Sequence, residues 1–183
     1  MRKLGFLFLF FSSFASAQQL QTDPGGSFSI VTPGVLLPCD LGPGRLACPA
    51  SNPVLTITVQ TVGAGADVRL MALNAEEAIE KKPNFKMVAQ ENIVIDGNPV
   101  IVQTMTFNNL ANVTLPVVVR TVDAVLGTKS FELEVACNQS TCPQYMDAFD
   151  QAITSLHLAK NGQKLKAAKA GSLGGLQGLL NGL

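Results

Sequence analysis

Val54-Leu55-Thr56-Ile57-Thr58-Val59-Gln60-Thr61-Val62 alternates strictly, with Leu55, Ile57 and Val59 on one side and Thr56, Thr58 and Gln60 on the other. A period of two carried by β-branched residues marks a strand buried on one face and open on the other. The same phase returns in Lys129 to Ala136, where Phe131, Leu133 and Val135 face inward while Glu132 and Glu134 face out. Cys137 continues the inward set. Between these two stretches lie further short strand candidates, Phe85 to Gln90, Ile93 to Ile95, Val100 to Phe107 and Leu115 to Thr121, and Phe28 to Val31 precedes them. Asp96-Gly97-Asn98-Pro99 supplies the turn between Ile95 and Val100, because Asp and Gly accept the backbone angles of a tight hairpin.

After the turn Gly63-Ala64-Gly65, Asp67 to Ala72 again alternates, setting Val68, Leu70 and Ala72 against Asp67, Arg69 and Met71. This predicts a returning strand, hairpin-paired with 54–62. Asn74 to Lys82 breaks the period. Asn74 can cap, Glu77 and Lys81 form an i,i+4 pair, and Pro83 stops the run, so a helix of one or two turns is expected there. Seven or eight short strands joined by turns, with no long helix between them, predict a mainly β fold. The expected architecture is an antiparallel β-sandwich or jelly-roll-like domain over 28–142.

The flanks read differently. Met1-Arg2-Lys3, an apolar run from Leu4 to Phe14 and Ala15-Ser16-Ala17 form the pattern of a secretory signal peptide over 1–17. Its apolar run is shorter than the roughly 20 residues that span a bilayer. Residues 18–27, with Pro24-Gly25-Gly26, read as a flexible leader. Beyond Cys142 the period becomes helical. Tyr145, Phe149, Ala152, Ile153 and Leu156 line one stripe of a predicted amphipathic helix, Gln144 to Lys160, within a helical extension over 143–170. Thr141 and Gln144 are placed as a capping box. Residues 171–183 are mostly Gly and Leu and read as a flexible tail.

Export gives the cysteines their chemistry. Cys39, Cys48, Cys137 and Cys142 are even in number and predict two disulfides in an oxidising compartment, with either local or long-range pairing open. Thr32 to Pro53 is then a loop braced by its own cysteines. The spacings C-x8-C and C-x4-C lack the form of zinc knuckles, so no metal is expected. Asn112-Val113-Thr114 and Asn138-Gln139-Ser140 match the N-glycosylation pattern and place Asn112 and Asn138 on exposed loops.

Several function classes are disfavoured. Without the leader, eleven basic residues face thirteen acidic ones, a formal −2, which offers nothing general to nucleic acid. The chain has no Trp and one Tyr, so stacking platforms are scarce. His157 is the sole imidazole and reads as a boundary residue of the C-terminal helix, with no Gly-x-Ser-x-Gly elbow to serve. No catalytic residue and no cofactor is expected. Two other surfaces are worth naming. Arg45-Leu46, inside the Cys39–Cys48 loop, has the composition of a protease-inhibitor bait. Lys160, Lys164, Lys166 and Lys169 precede Leu173, Leu176, Leu179 and Leu180, a cationic-then-apolar order that suits a membrane surface or a partner. The reading is a secreted, glycosylated, non-catalytic binding or structural module. Its partner would be an extracellular protein or lipid, and the C-terminal helix offers a route to homo-oligomers.

Overall fold

Alternation over 54–61 and 129–138 nucleates the pairing that organises the molecule. In the computed structural model, which describes residues 18–48, 52–108, 116–159 and 165, these two segments are neighbours at the centre of a seven-stranded antiparallel sheet. In chain order the strands are β1 (Gln19–Thr22), β2 (Phe28–Thr32), β3 (Asp40–Gly42), β4 (Arg45–Cys48), β5 (Val54–Thr61), β6 (Lys86–Ile95), β7 (Asn98–Asn108), β8 (Pro116–Leu126), β9 (Lys129–Asn138) and β10 (His157–Leu158). The large sheet runs β3-β4-β5-β9-β8-β7-β6, and a small sheet runs β1-β2-β10. The fold is mainly β and sandwich-like, as the sequence predicts.

Period two then sorts the side chains. Leu55 and Ile57 of β5, Phe131, Leu133 and Val135 of β9, Val122 and Ala124 of β8, and Val100 and Val102 of β7 all fall on one face and join one buried cluster. Phe28 and Ile30 of β2 close over them, and the Phe28 and Phe131 rings meet edge to face at 5.8 Å. Helix α2 (Met146–Thr154) completes the cover, burying Ala148, Phe149 and Ala152. Arg120 of β8 pairs with Asp150 of α2, and Ser155 Oγ accepts from Val31 N at 2.9 Å. Helix α1 (Val68–Glu80) lies across β7 and β8, on the sheet's other face.

Four local expectations are corrected. The strand predicted over Asp67 to Ala72 is the first turn and more of α1. Asp67 caps it, accepting from Arg69 N at 2.8 Å. Over six residues an alternating pattern also fits a helix, and Arg69-Leu70-Met71-Ala72-Leu73 are strong helix formers. The leader is not loose over its described part: Gln19 to Thr22 pairs with β2, and Asp23, 2% exposed, accepts from Gly25, Ser27 and Gly44 amides at 2.8–2.9 Å. Burial works against the charge on Asp23, but those N–H donors outweigh it and hold its pKa below the ordinary carboxylate value. The braced loop of 32–53 contains a hairpin, β3 with β4. Finally, the C-terminal helix is shorter than Gln144 to Lys160. Cys142–Gln144 is a 3-10 turn, Tyr145 takes the cap position with no side-chain cap, and His157 belongs to β10 rather than to a helix. Backbone pairing with β2 wins there over helix continuation.

Candidate functional site

The face of the large sheet turned away from the main core is polar by register. Thr56 and Thr58 of β5 lie opposite Glu134 and Glu132 of β9. Those acids lie opposite Thr121 and Asp123 of β8, which face Gln103 and Ile101 of β7. Gln90 and Asn92 of β6 continue the rows. Among the described residues only α1 rests on this face, and it does so thinly. Val68, Ala72, Ala75 and Ile79 recur at helical spacing towards the sheet, yet Ala72 alone is fully buried.

Beside α1 a cleft of about 400 Å³ opens towards the edge strand β6. Helix α1 contributes Arg69, Leu73 and Glu76, β6 contributes Gln90 and Asn92, and β7 contributes Ile101 and Gln103. Gln103 is the informative member. It is 1% exposed, its Nε2 donates to Gln90 Oε1 at 3.1 Å, and its own Oε1 meets no donor. An unpaired buried acceptor costs about 1–3 kcal/mol. Such groups in a native fold point to a use, because an apolar residue of the same size would fit without that cost. Leu73 of the lining is 47% exposed, and elsewhere on α1 and β6 Leu70, Val88 and Val94 are 57–71% exposed. Val88 sits at the bulge where β6 shifts register between Met87 and Ala89.

Next to Ile101, Asp123 is 1% exposed with Oδ2 unpartnered. Burial, and then the charge of Glu132, push its pKa up to about 7. The Thr121 hydroxyl lies near enough to oppose that shift, without the geometry of a full hydrogen bond. Glu134 is raised by the same two causes in the same order. Among the described residues no group of three His, Cys, Asp or Glu side chains is placed to hold a metal ion. What this face can do is bind: it offers amide donors and acceptors, hydroxyls, and carboxylates that gain from a counter-charge.

The residues singled out from sequence lie elsewhere. The structure pairs Cys39 with Cys48 and Cys137 with Cys142, so both bridges are local, one across the β3–β4 hairpin and one closing the turn after β9. Asn138 is the last residue of β9 and half-buried, rather than on an exposed loop. Asn112 lies outside the described residues, as do the leader 1–17, Lys160, Lys164, Lys166 and Lys169, and the leucines at 173, 176, 179 and 180. Arg45 is exposed, but it and Leu46 do not sit on a free bait loop. They pair with β3 and with β5, and Leu46 is fully buried, so a protease could not draw the bond into its cleft. His157 Nδ1 lies 3.2 Å from Asp96 Oδ2, which also accepts from Leu158 N at 2.8 Å. That arrangement fastens β10 to the β6–β7 turn. The candidate site's own residues, Gln103 and Asp123, carried a usable signal: each adjoins or interrupts a short apolar run, Val100-Ile101-Val102-Gln103 and Val122-Asp123-Ala124-Val125.

No helix among the described residues is long and apolar enough to cross a membrane. No family model matches the chain, and no curated protein sequence matches it. Solved structures do share its fold. The cyanobacterial PsbP protein CyanoP from Synechocystis superposes with a TM-score of 0.55 at 12% identity, covering 81% of this chain and 95% of its own. The Ran-binding protein Mog1p of Saccharomyces cerevisiae gives 0.54 at 9% identity, with 79% and 97% covered. LpqN of Mycobacterium tuberculosis, involved in cell envelope biogenesis, gives 0.52 at 9% identity, with 81% and 87% covered. At these identities the likeness is one of fold.

Proposed function

We propose that this chain is a non-catalytic binding module of an exported protein, and that it takes an extended segment of a partner protein in the cleft between α1 and β6. The observation that carries this reading is Gln103, buried at the cleft floor with an acceptor left open. Three features support it. Strand β6 is an edge strand ten residues long, and an unpaired edge with apolar flanks suits strand addition. Leu73 in the lining, with Leu70, Val88 and Val94 exposed on the same two elements, offers apolar surface to a partner. Gln90, Asn92 and Gln103 offer amides that match a peptide backbone. Export is supported by the leader sequence and by two disulfide-paired cysteine couples. Among the proteins of the same fold, one is named as Ran-binding and another for a role in the cell envelope, uses that accord with a protein-binding module outside catalysis.

A photo-reactive residue placed at Leu73 or at Val94 tests this in the exported protein and its native fluid. The expected result is one shared partner adduct from both positions, lost when Gln103→Leu is added. A probe at the exposed Arg45, one strand in from the opposite edge of the sheet, serves as the control. Equal labelling from Arg45, or adducts that survive Gln103→Leu, would rule the cleft out.

A further inference from the structure

One strand beyond the cleft floor, two carboxylates face each other without a counter-charge among the described residues. Asp123 of β8 and Glu132 of β9 are direct register partners. Their neighbours Val122, Ala124, Phe131 and Leu133 belong to the apolar core, so alternation sets both acids on the polar face. Residues directly opposite hold their Cβ atoms about 4.5–5.5 Å apart, where like charges destabilise a strand pair. Asp123 is 1% exposed, so water screens the repulsion poorly. The ion pairs among the described residues are Arg120–Asp150 and His157–Asp96, and neither involves these two acids. Arg45 shares their row but stands beyond Thr58, two strand spacings or about 10 Å from Glu132.

A second observation does not come from an acid. Thr121, two residues before Asp123 on the same face, is fully buried and its Oγ1 meets no partner. Asp123 Oδ2 has none either. This stretch of β8 therefore holds two oxygens closed to solvent and unsatisfied. A water molecule could donate to them, but it would leave two carboxylates facing each other. A cation accepts oxygen lone pairs and cancels the charge as well, and the half-buried Glu132 gives it a way in from solvent.

The donors decide which cation. Only oxygen is offered, and no histidine or cysteine stands in these register rows, which disfavours transition metals. Among the described residues no three His, Cys, Asp or Glu side chains converge for a metal ion. A site here must rely on two carboxylates, a hydroxyl and water. Magnesium demands near-ideal octahedral geometry, whereas calcium accepts oxygens at about 2.3–2.6 Å in a flexible arrangement. Two carboxylates also balance its charge.

We propose that Asp123 and Glu132, with the Thr121 hydroxyl, bind one calcium ion that bridges β8 and β9 on the polar face. Its affinity falls in the range of about 10⁻⁴–10⁻³ M typical of extracellular calcium modules. Bound calcium turns a point of cross-strand repulsion into a link, so the stability of the module follows the calcium level around it. This inference is independent of the α1–β6 cleft, since it uses other residues and another ligand.

Calcium chloride titrated into the exported chain, stripped beforehand with EDTA, tests it through thermal unfolding and amide NMR shifts. With a dissociation constant of about 1 mM, about 10 mM calcium should raise the unfolding midpoint by about 4 °C, and magnesium at the same concentration by less than about 1 °C. The amides that move should centre on Thr121, Asp123 and Glu132. Asp123→Asn and Glu132→Gln relieve the repulsion and keep side-chain shape, so each should stay folded and lose the response. Thr121→Val should weaken it. An equal rise with magnesium, a full response retained in Asp123→Asn, or no rise at that calcium concentration would each overturn the proposal.

Discussion

Helices α1 and α2 rest on opposite faces of one sheet and on opposite chemistry. Helix α2 buries Phe149 and two alanines against an apolar face, where Phe131, Leu133, Leu55 and Ile57 are fully buried. Helix α1 buries only Ala72 and crosses a strand pair whose same-face residues include Gln103, Thr121 and Asp123. The first arrangement gains about 25 cal/mol for each Å² of apolar surface removed from water. The second leaves buried polar atoms short of partners, and those cost stability. One sheet therefore divides its labour, with one face that holds the protein together and one that keeps buried polar groups at a cost in stability.

The contrast can be broken most forcefully on the apolar side. Phe131→Ala should lose about 3–5 kcal/mol of unfolding free energy in urea titrations, since the vacated space cannot collapse around a β9 neighbour fixed on both sides. On the polar side the sign should reverse. Asp123 has its folded pKa raised to about 7, above its unfolded value, so the native state holds the proton longer. Stability should fall as pH rises from about 4 to about 7 and level off above, by about 2–4 kcal/mol for this group. Asp123→Asn should flatten that slope and leave the protein more stable than the parent at pH 8, as read by denaturation at several pH values. A parent profile that climbs across the same range would refute the burial of an uncompensated charge.

Smaller effects sharpen the comparison. Gln103→Leu removes one hydrogen bond and one orphaned acceptor together, so stability should shift by less than about 1 kcal/mol while cleft binding is lost. A destabilisation beyond about 2 kcal/mol would assign the amide a structural role instead. Leu73→Asp, on the exposed rim, should change stability by no more than about 0.5 kcal/mol, measurable as an unchanged thermal midpoint. Phe149→Ala on α2 should cost several times more, about 3 kcal/mol.

Much of the fold was legible because two strands wrote their burial in strict alternation. Leu55-Thr56-Ile57-Thr58 and Phe131-Glu132-Leu133-Glu134 announce both faces of the sheet, and Asp96-Gly97-Asn98-Pro99 announces a turn, which the structure confines to Asp96 and Gly97, both at positive φ. Asp67 to Ala72 misled because six residues cannot separate a period of two from one of 3.6. The polar leader misled because its order comes from Asp23 meeting the amide of Gly44 twenty-one residues away, and no local pattern encodes that encounter. The candidate site was the least legible part. Gln103 and Asp123 look like breaks in short apolar runs until the register sets them on one face of the sheet.

The sequence by itself determined the central strands β5 and β9, which side of each meets the core, and the opposite charges of body and tail, because those follow from local period and composition. Tertiary structure decided the order of the strands, the local pairing of the cysteines and the choice of the polar face for α1. It also decided which carboxyl lost its water. Those outcomes depend on contacts between residues far apart in the chain, where burial and charge act through distance in space rather than position in sequence.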